Sequence, residues 1–395
     1  MEYSKTEGVI GMKRKIGVFV LLAALCFGTL TGCGKVTEDN PAPSGTDAPE
    51  SSQEVSADAD KAEAEDGVIT ITGGQIKGTE EQGVYQYLGI PYAQAEERFV
   101  PASEVSPWEG VRVMDSYGKI SYQGTVVGMR GSNGDENDNN CQNLNIWTPG
   151  IGAEGKRPVM VWLHGGGFST GSANDAMYSG INLAKGQDVV VVGVNHRLNV
   201  FGHLDLSAYG EKYQYSSNVG IMDIQMAQKS GIETLQEIQM ALEWIQENIA
   251  AFGGDPENVT VFGQSGGGAK VLSLMTSPYA SGLFHKGIVQ SGATEIMGVT
   301  FSSKEISERV GELTLENLGI SPENVEEIQN VSLDELLDAS DRAREKAGEE
   351  YGIFLSLSTD YGIEWGPVID GDYMPTNPVT EQGFAEAGKD IPLLI

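Results

Sequence analysis

The sequence predicts an α/β protein: a mostly parallel, doubly wound sheet preceded by an N-terminal antiparallel meander. Three observations carry this. The apolar runs within Arg157–Leu163 and Asp188–Val194 read as strands buried on both faces. Strand signals alternate with helical ones, the pattern of stacked βα units. A glycine-rich turn, Gly263-Gln264-Ser265-Gly266-Gly267, joins the short β-branched run Val259–Phe262 to the helical stretch Ala269–Met275.

In chain order, Met1–Gly11 has no structural signature, and Met12 reads as the true start. Lys13-Arg14-Lys15, the apolar stretch Ile16–Leu30 and Leu30-Thr31-Gly32-Cys33 form a basic region, an apolar region and a small-residue cleavage site. That is the layout of an export signal, with an apolar run too short to span a bilayer comfortably. Leu-Thr-Gly-Cys resembles the bacterial lipobox, which implies lipidation at Cys33; the alternative is an ordinary signal peptide that contains a cysteine. The expected location is across the cytoplasmic membrane, lipid-anchored at the bacterial cell surface or periplasmic side.

Residues 34–66 hold ten Asp and Glu against Lys35 and Lys61, with no apolar period. Such a segment buries no core and reads as a solvated, self-repelling tether. The domain organisation is therefore 1–33 upstream residues and signal, 34–66 acidic linker, and 67–395 folded body. With Cys26 in the removed signal and Cys33 acylated, Cys141 is the sole remaining thiol, so no internal disulfide framework is expected. The formal net charge of −31 argues against nucleic acid and against electrostatic docking on anionic lipid.

The body opens with Val68–Thr72, Gln75–Lys77 and Val84–Ala93, punctuated by Gly73-Gly74 and Gln82-Gly83, which reads as an antiparallel meander. A further strand, Gln142–Trp147, follows. The strand ending at Leu163 then delivers His164-Gly165-Gly166-Gly167-Phe168. Consecutive glycines suit a place where backbone N–H groups face a ligand without Cβ interference.

At Gly263–Gly267 the G-x-S-x-G pattern lies strand-to-helix, as a nucleophile elbow requires. The turn is so tight that side chains two residues either side of Ser265 would collide, hence Gly263 and Gly267. Ser265 Oγ would stand clear at the strand end, and the helix N-terminus would favour negative charge there. The N–H groups of Gly166, Gly167 and Gly266 could form an oxyanion hole.

With these residues in place, the chain resembles the carboxylesterase type B (cholinesterase-like) family. The resemblance rests on Gly89-Ile90-Pro91-Tyr92-Ala93, Leu144–Trp147, His164–Phe168, Asn195-His196-Arg197-Leu198, Glu247–Pro256, the elbow, Gln290-Ser291-Gly292 and Pro367–Gly371, in that order over residues 67–395. It implies an α/β-hydrolase fold and a serine esterase acting on small carboxylic esters, with no metal or cofactor. By position, Ser265 is the nucleophile, Gly166, Gly167 and Gly266 are the oxyanion donors, and Ser291 is a secondary serine near the site. Gln264 stands where the family often has Glu, and Phe168 is the expected pocket wall.

The sequence departs from the family in two places. Asp223-Ile224-Gln225-Met226-Ala227 is echoed fourteen residues later by Glu237-Ile238-Gln239-Met240-Ala241, which reads as an insertion by partial duplication. As continuous helix it would add about 21 Å, so a break is expected, with Asp223–Glu233 a separate helix plus loop. The capping box Thr234–Glu237 would start the next helix, whose core stripe is Leu235, Ile238, Leu242, Ile245, Ile249 and Phe252.

The second departure is the missing base. A serine nucleophile needs a base, which in turn needs an orienting acid, in the chain order Ser, acid, His for this fold. Of His164, His196, His203 and His285 only the last follows Ser265, at a place the family does not use as base; all four are expected to be structural. Asp360, Glu364, Asp370 and Asp372 also read as structural. The chain stops inside the apolar run Ile391–Ile395, so the family's acid and histidine are expected beyond it. Ser302–Ala347 reads as two or three amphipathic helices over the site. The reading is a lipid-anchored serine carboxylesterase; the alternatives are a non-catalytic surface-binding module of the same fold and a decayed inactive fragment.

Overall fold

The architecture is eight strands in one sheet, β1 Thr79–Glu81, β2 Val84–Pro91, β3 Asn143–Thr148, β4 Arg157–Leu163, β5 Val190–Val194, β6 Gly254–Gln264, β7 Lys286–Gln290 and β8 Leu393–Leu394, in the order β8-β7-β6-β4-β5-β3-β2-β1. The source is a computed structural model that describes residues 67–123, 136–224, 241–292, 301–355, 359–380, 383–384 and 386–395. The expected signal and linker, residues 1–66, lie outside the described residues. β5 to β8 and β4 pair in parallel, and β1, β2 and β3 pair antiparallel. This is the predicted mixed sheet. β5 is covered on both faces, every residue of it buried, whereas in β4 Val159, Val161 and Leu163 on one face are inaccessible and Met160 and Trp162 on the other are only partly buried.

The N-terminal meander is corrected in one respect. Val68–Ile71 and Gly74–Lys77 do form an antiparallel hairpin, but they share a separate three-stranded sheet with Val111–Val113. The third predicted strand, here β2, joins the central sheet between β1 and β3. Val84, Tyr87 and Ile90 on it are fully buried, Tyr87 and Ile90 in the main core and Val84 in a smaller cluster with Trp147 and Val191.

Strand register decides where the chemistry sits. Gly263 of β6 lies beside Leu163 of β4, and Gln264 lies beside Gln290 of β7. The three strands end level, so the turns that follow them, at His164, Ser265 and Ser291, emerge at one sheet edge. In open parallel sheets this carboxyl edge is where ligands bind.

Helices α1 Ile181–Gln187, α2 Asn199–His203, α3 Val219–Met222, α4 Ala241–Asn248, α5 Gly266–Thr276, α6 Lys304–Leu318 and α7 Leu333–Tyr351 cover the sheet and its edge. α6 and α7, the amphipathic pair, are capped by Ser303 and Ser332 and end on left-handed Gly319 and Gly352.

At the duplication, most of the expected separate helix lies outside the described residues, but its two ends do not. The Ala241 N–H donates to the Asp223 carbonyl at 3.3 Å, and the Leu242 N–H to the Ile224 carbonyl at 3.2 Å. In one straight helix residues eighteen apart are about 27 Å distant, so a straight helix through 221–252 is excluded. If fourteen residues are subtracted, both contacts become ordinary i to i−4 helical bonds. The two ends of the duplication are therefore hydrogen-bonded to each other as one helix would be, with Leu242, Ile245, Ile249 and Phe252 fully buried below. Deleting 225–238 is expected to leave a folded protein whose urea midpoint is unchanged or higher, because loop closure no longer opposes this pairing. A clear fall in midpoint would show that the inserted stretch contributes to the fold.

Candidate active site

The site begins with backbone geometry at the end of β6. Ser265 holds φ 56° and ψ −124°, a combination that a non-glycine residue avoids and that costs on the order of 1–3 kcal/mol. The surrounding chain enforces it. A Cβ on Gly263 would lie 2.4 Å from the Gly267 carbonyl carbon, and a Cβ on Gly267 would lie 2.0 Å from the Leu163 carbonyl oxygen. Both glycines are required by close approach, and the helix can start only if the serine takes the strained turn. The Ser265 N–H is held by the Gln290 carbonyl at 2.8 Å, and its carbonyl accepts from Ala269. Ser265 itself remains partly accessible.

The glycine run after β4 lies directly against this turn. A Cβ on Gly266 would meet both the nitrogen and Cα of Gly167 at 2.5 Å, and a Cβ on Gly165 would sit 3.7 Å from the Ser265 Cβ. Among the described residues, no protein acceptor takes the N–H of Gly166, Gly167 or Gly266. Three backbone donors without protein partners thus collect beside one strained serine, the arrangement that holds an oxyanion.

Gln264 and Ser291 are brought to the same place. The Gln264 carbonyl would be 2.9 Å from a Cβ on Gly165. Ser291 follows β7 with φ 54°, and the next residue, Gly292, packs on the Ser265 carbonyl, which a Cβ there would approach to 2.5 Å. Both side chains are exposed. Phe168 is different. Its ring is fully buried, edge-on to His203 with centroids 5.4 Å apart, so it is core and offers no accessible wall to a ligand. The turn through Gly166 and Gly167, φ 93° and 62°, sends the chain inward before Phe168.

None of the four histidines hydrogen-bonds to Ser265. His285 precedes β7; its N–H donates to the Val259 carbonyl and its Nδ1 accepts from the Val259 N–H. Six strand residues, about 20 Å, separate that level from Ser265. His164, His196 and His203 are buried beneath the glycine run, the first two stacked with centroids 5.1 Å apart. Burial, then the nearby Lys270, holds His164 and His196 well below the ordinary histidine range, and burial pulls His203 down to about 3. All three are neutral at physiological pH.

The loop carboxylates are structural where their partners are visible. Asp372 accepts from the hydroxyls of Tyr215 and Tyr279, and Asp370 accepts from Asn218 and from the backbone of Asp372 and Met374. Cys141 is a buried free thiol, raised in pKa chiefly by burial. Among the described residues no cluster of His, Cys, Asp and Glu could hold a metal ion, and no helix is long and apolar enough to cross a membrane.

Sequence reasoning missed Lys270. It is fully buried in α5, with Nζ donating to the His164 carbonyl at 2.8 Å and lying 5.9 Å from the Phe168 ring centroid. The signal was present: Lys270 is the only charged residue in Gly266–Thr276, and a helix without a polar face is buried on all sides.

The chain is similar to known esterases. The carboxylesterase family model matches residues 65–395. The para-nitrobenzyl esterase of Bacillus subtilis (strain 168) is 36% identical over 333 residues, which cover 83% of this chain and 61% of that protein. Among solved structures, an esterase from anaerobic Clostridium hathewayi, described as able to hydrolyze aliphatic aromatic polyesters, superposes with a TM-score of 0.69 at 36% identity, covering 82% of this chain and 61% of its own. A carboxylesterase of Geobacillus stearothermophilus gives 0.66 at 35% identity, with 83% and 60% covered. The chain thus spans about three-fifths of the length of these relatives.

Proposed function

We propose, since the chain belongs to the carboxylesterase family, that it carries the nucleophile of a serine esterase that hydrolyses carboxylic esters through an acyl-enzyme on Ser265. The observation that carries the reading is the strained Ser265 set beside the donor N–H groups of Gly166, Gly167 and Gly266. Ser265 Oγ attacks the ester carbonyl carbon, and the carbonyl oxygen becomes an anion held by those three donors. Collapse of the intermediate breaks the bond to the alcohol and leaves the acyl group on Ser265. Water then attacks the acyl carbon by the same route, releasing the acid. Losing one oxyanion donor typically costs about 10²–10³ in turnover.

The proton of Ser265 needs a base, and no histidine of the 395 residues is placed to take it. A binding module of the same fold is the weaker reading, because it has no use for a strained serine or an open oxyanion hole. The test is saturable hydrolysis of p-nitrophenyl butyrate by the protein purified from its own cells. No turnover above the buffer rate would end the esterase reading.

Export and lipid anchoring at Cys33 belong to the same proposal, supported by Lys13–Lys15, the apolar stretch Ile16–Leu30 and Leu30-Thr31-Gly32-Cys33. Metabolic labelling with an alkyne fatty acid is expected to mark the protein and to fail in Cys33→Ser. Equal labelling of the variant would remove Cys33 as the anchor.

A further inference from the structure

The oxyanion hole is built from two chain segments. Gly166 and Gly167 follow β4, and Gly266 opens α5. Their spacing must hold to a few tenths of an ångström if the three N–H groups are to meet one oxygen. We propose that Lys270 is the positioning residue that sets this spacing, a strut from α5 to the root of the glycine run, and that its charge and the anion in the hole stabilise each other. The proposal rests on the esterase reading above.

The geometry runs through two consecutive peptides. Lys270 Nζ donates to the His164 carbonyl at 2.8 Å. The His164 ring, in turn, lies with Nδ1 at 2.8 Å from the Gly165 carbonyl, and because a carbonyl only accepts, Nδ1 carries the proton. The trans peptide that contains the Gly165 carbonyl also contains the Gly166 N–H, pointing the opposite way. Whatever holds that carbonyl therefore aims that donor. Lys270 and His164 are both fully buried, so neither contact is shared with solvent.

A lysine is a costly filler for this position. The titratable groups around it are His164 after β4, His196 after β5 and His203 on α2, and no carboxylate lowers the cost of its charge. Asp223, the carboxylate beside this region at the end of α3, is taken by Arg197 through Nε and Nη2. A methionine of similar volume would pack without that cost. Among the described residues, the one polar partner of the Lys270 amine is the His164 carbonyl. Burial pulls the amine down to about 7, so its charge responds to a neighbouring anion at working pH. Binding an anion at Gly166 and protonating Lys270 then favour each other, and by linkage each shifts the other equally.

The test uses wild-type protein carrying ¹³Cε-lysine, with phenylboronic acid as the probe, which forms a tetrahedral anion on a nucleophilic serine. The Lys270 resonance is expected to titrate near 7. Saturating boronate is expected to raise that midpoint by at least about half a pH unit. Lys270→Met, checked for folding by its thermal melt, is expected to bind boronate about tenfold more weakly. An unmoved midpoint in the saturated protein overturns the proposal even if the variant does not fold, and so does equal boronate affinity in a folded variant. No boronate binding to wild type, or equal binding to Ser265→Ala, removes the esterase reading and this proposal with it.

Discussion

Replacing Ser265 with alanine is expected to lower ester turnover on the order of 10⁶-fold while leaving the fold intact. The size follows from covalent catalysis: without Oγ no acyl-enzyme forms, and only the oxyanion donors and binding remain to accelerate attack by water. The fold should not suffer. Ser265 spends its backbone on Gln290 and Ala269, and among the described residues its hydroxyl has no hydrogen-bond partner. If anything, alanine keeps the strained φ and changes little else. The check is kcat/KM for p-nitrophenyl butyrate alongside the urea midpoint. A variant retaining activity within tenfold of wild type would mean that another residue is the nucleophile.

Asp223→Ala is expected to destabilise the protein by about 3–5 kcal/mol. Asp223 and Arg197 are both wholly buried, and the guanidinium donates through Nε and Nη2 to the two carboxylate oxygens at 2.9 and 2.7 Å. The same carboxylate also accepts from the Arg197 N–H and from Gln142 Nε2. Truncation strands a charged guanidinium in the core with the Val100 carbonyl as its remaining partner. The site is doubly sensitive because the Asp223 carbonyl receives the Ala241 N–H at the join of the duplicated segment. Urea denaturation measures the loss. A change below about 1 kcal/mol would show that the pair is not buried in solution.

The buried pair also explains why the duplication was only half legible. The sequence contains two copies, Asp223–Ala227 and Glu237–Ala241, and its capping box Thr234–Glu237 puts the start of the core-facing helix at the second. What fixes Asp223 of the first copy is Arg197, far away in sequence, whose guanidinium it meets. No local pattern encodes that partner. The elbow, by contrast, was legible in full, because its constraints are local: a strand period, a helix period and two glycines spaced to avoid each other. The sheet followed from the apolar runs of β4 and β5, of which β5 is buried on both faces and β4 fully on one.

Side chains after glycine runs were the weak point. Phe168 was expected as a pocket wall from the family resemblance, but the direction it takes depends on φ at Gly166 and Gly167, which glycine leaves free. Lys270 was overlooked for the opposite reason. A helix signal absorbs one lysine easily, and only the absence of any other polar face on α5 says that this one has nowhere to go but inward.

The central claim is that the strain at Ser265 presents a nucleophile to the donors of Gly166, Gly167 and Gly266. The most direct measurement is to treat the protein from its own cells with a fluorophosphonate, digest it and locate the adduct by mass spectrometry. The account predicts one phosphonylated peptide, carrying Ser265, and an unmodified Ser291. An adduct on Ser291, or none on Ser265, would contradict it.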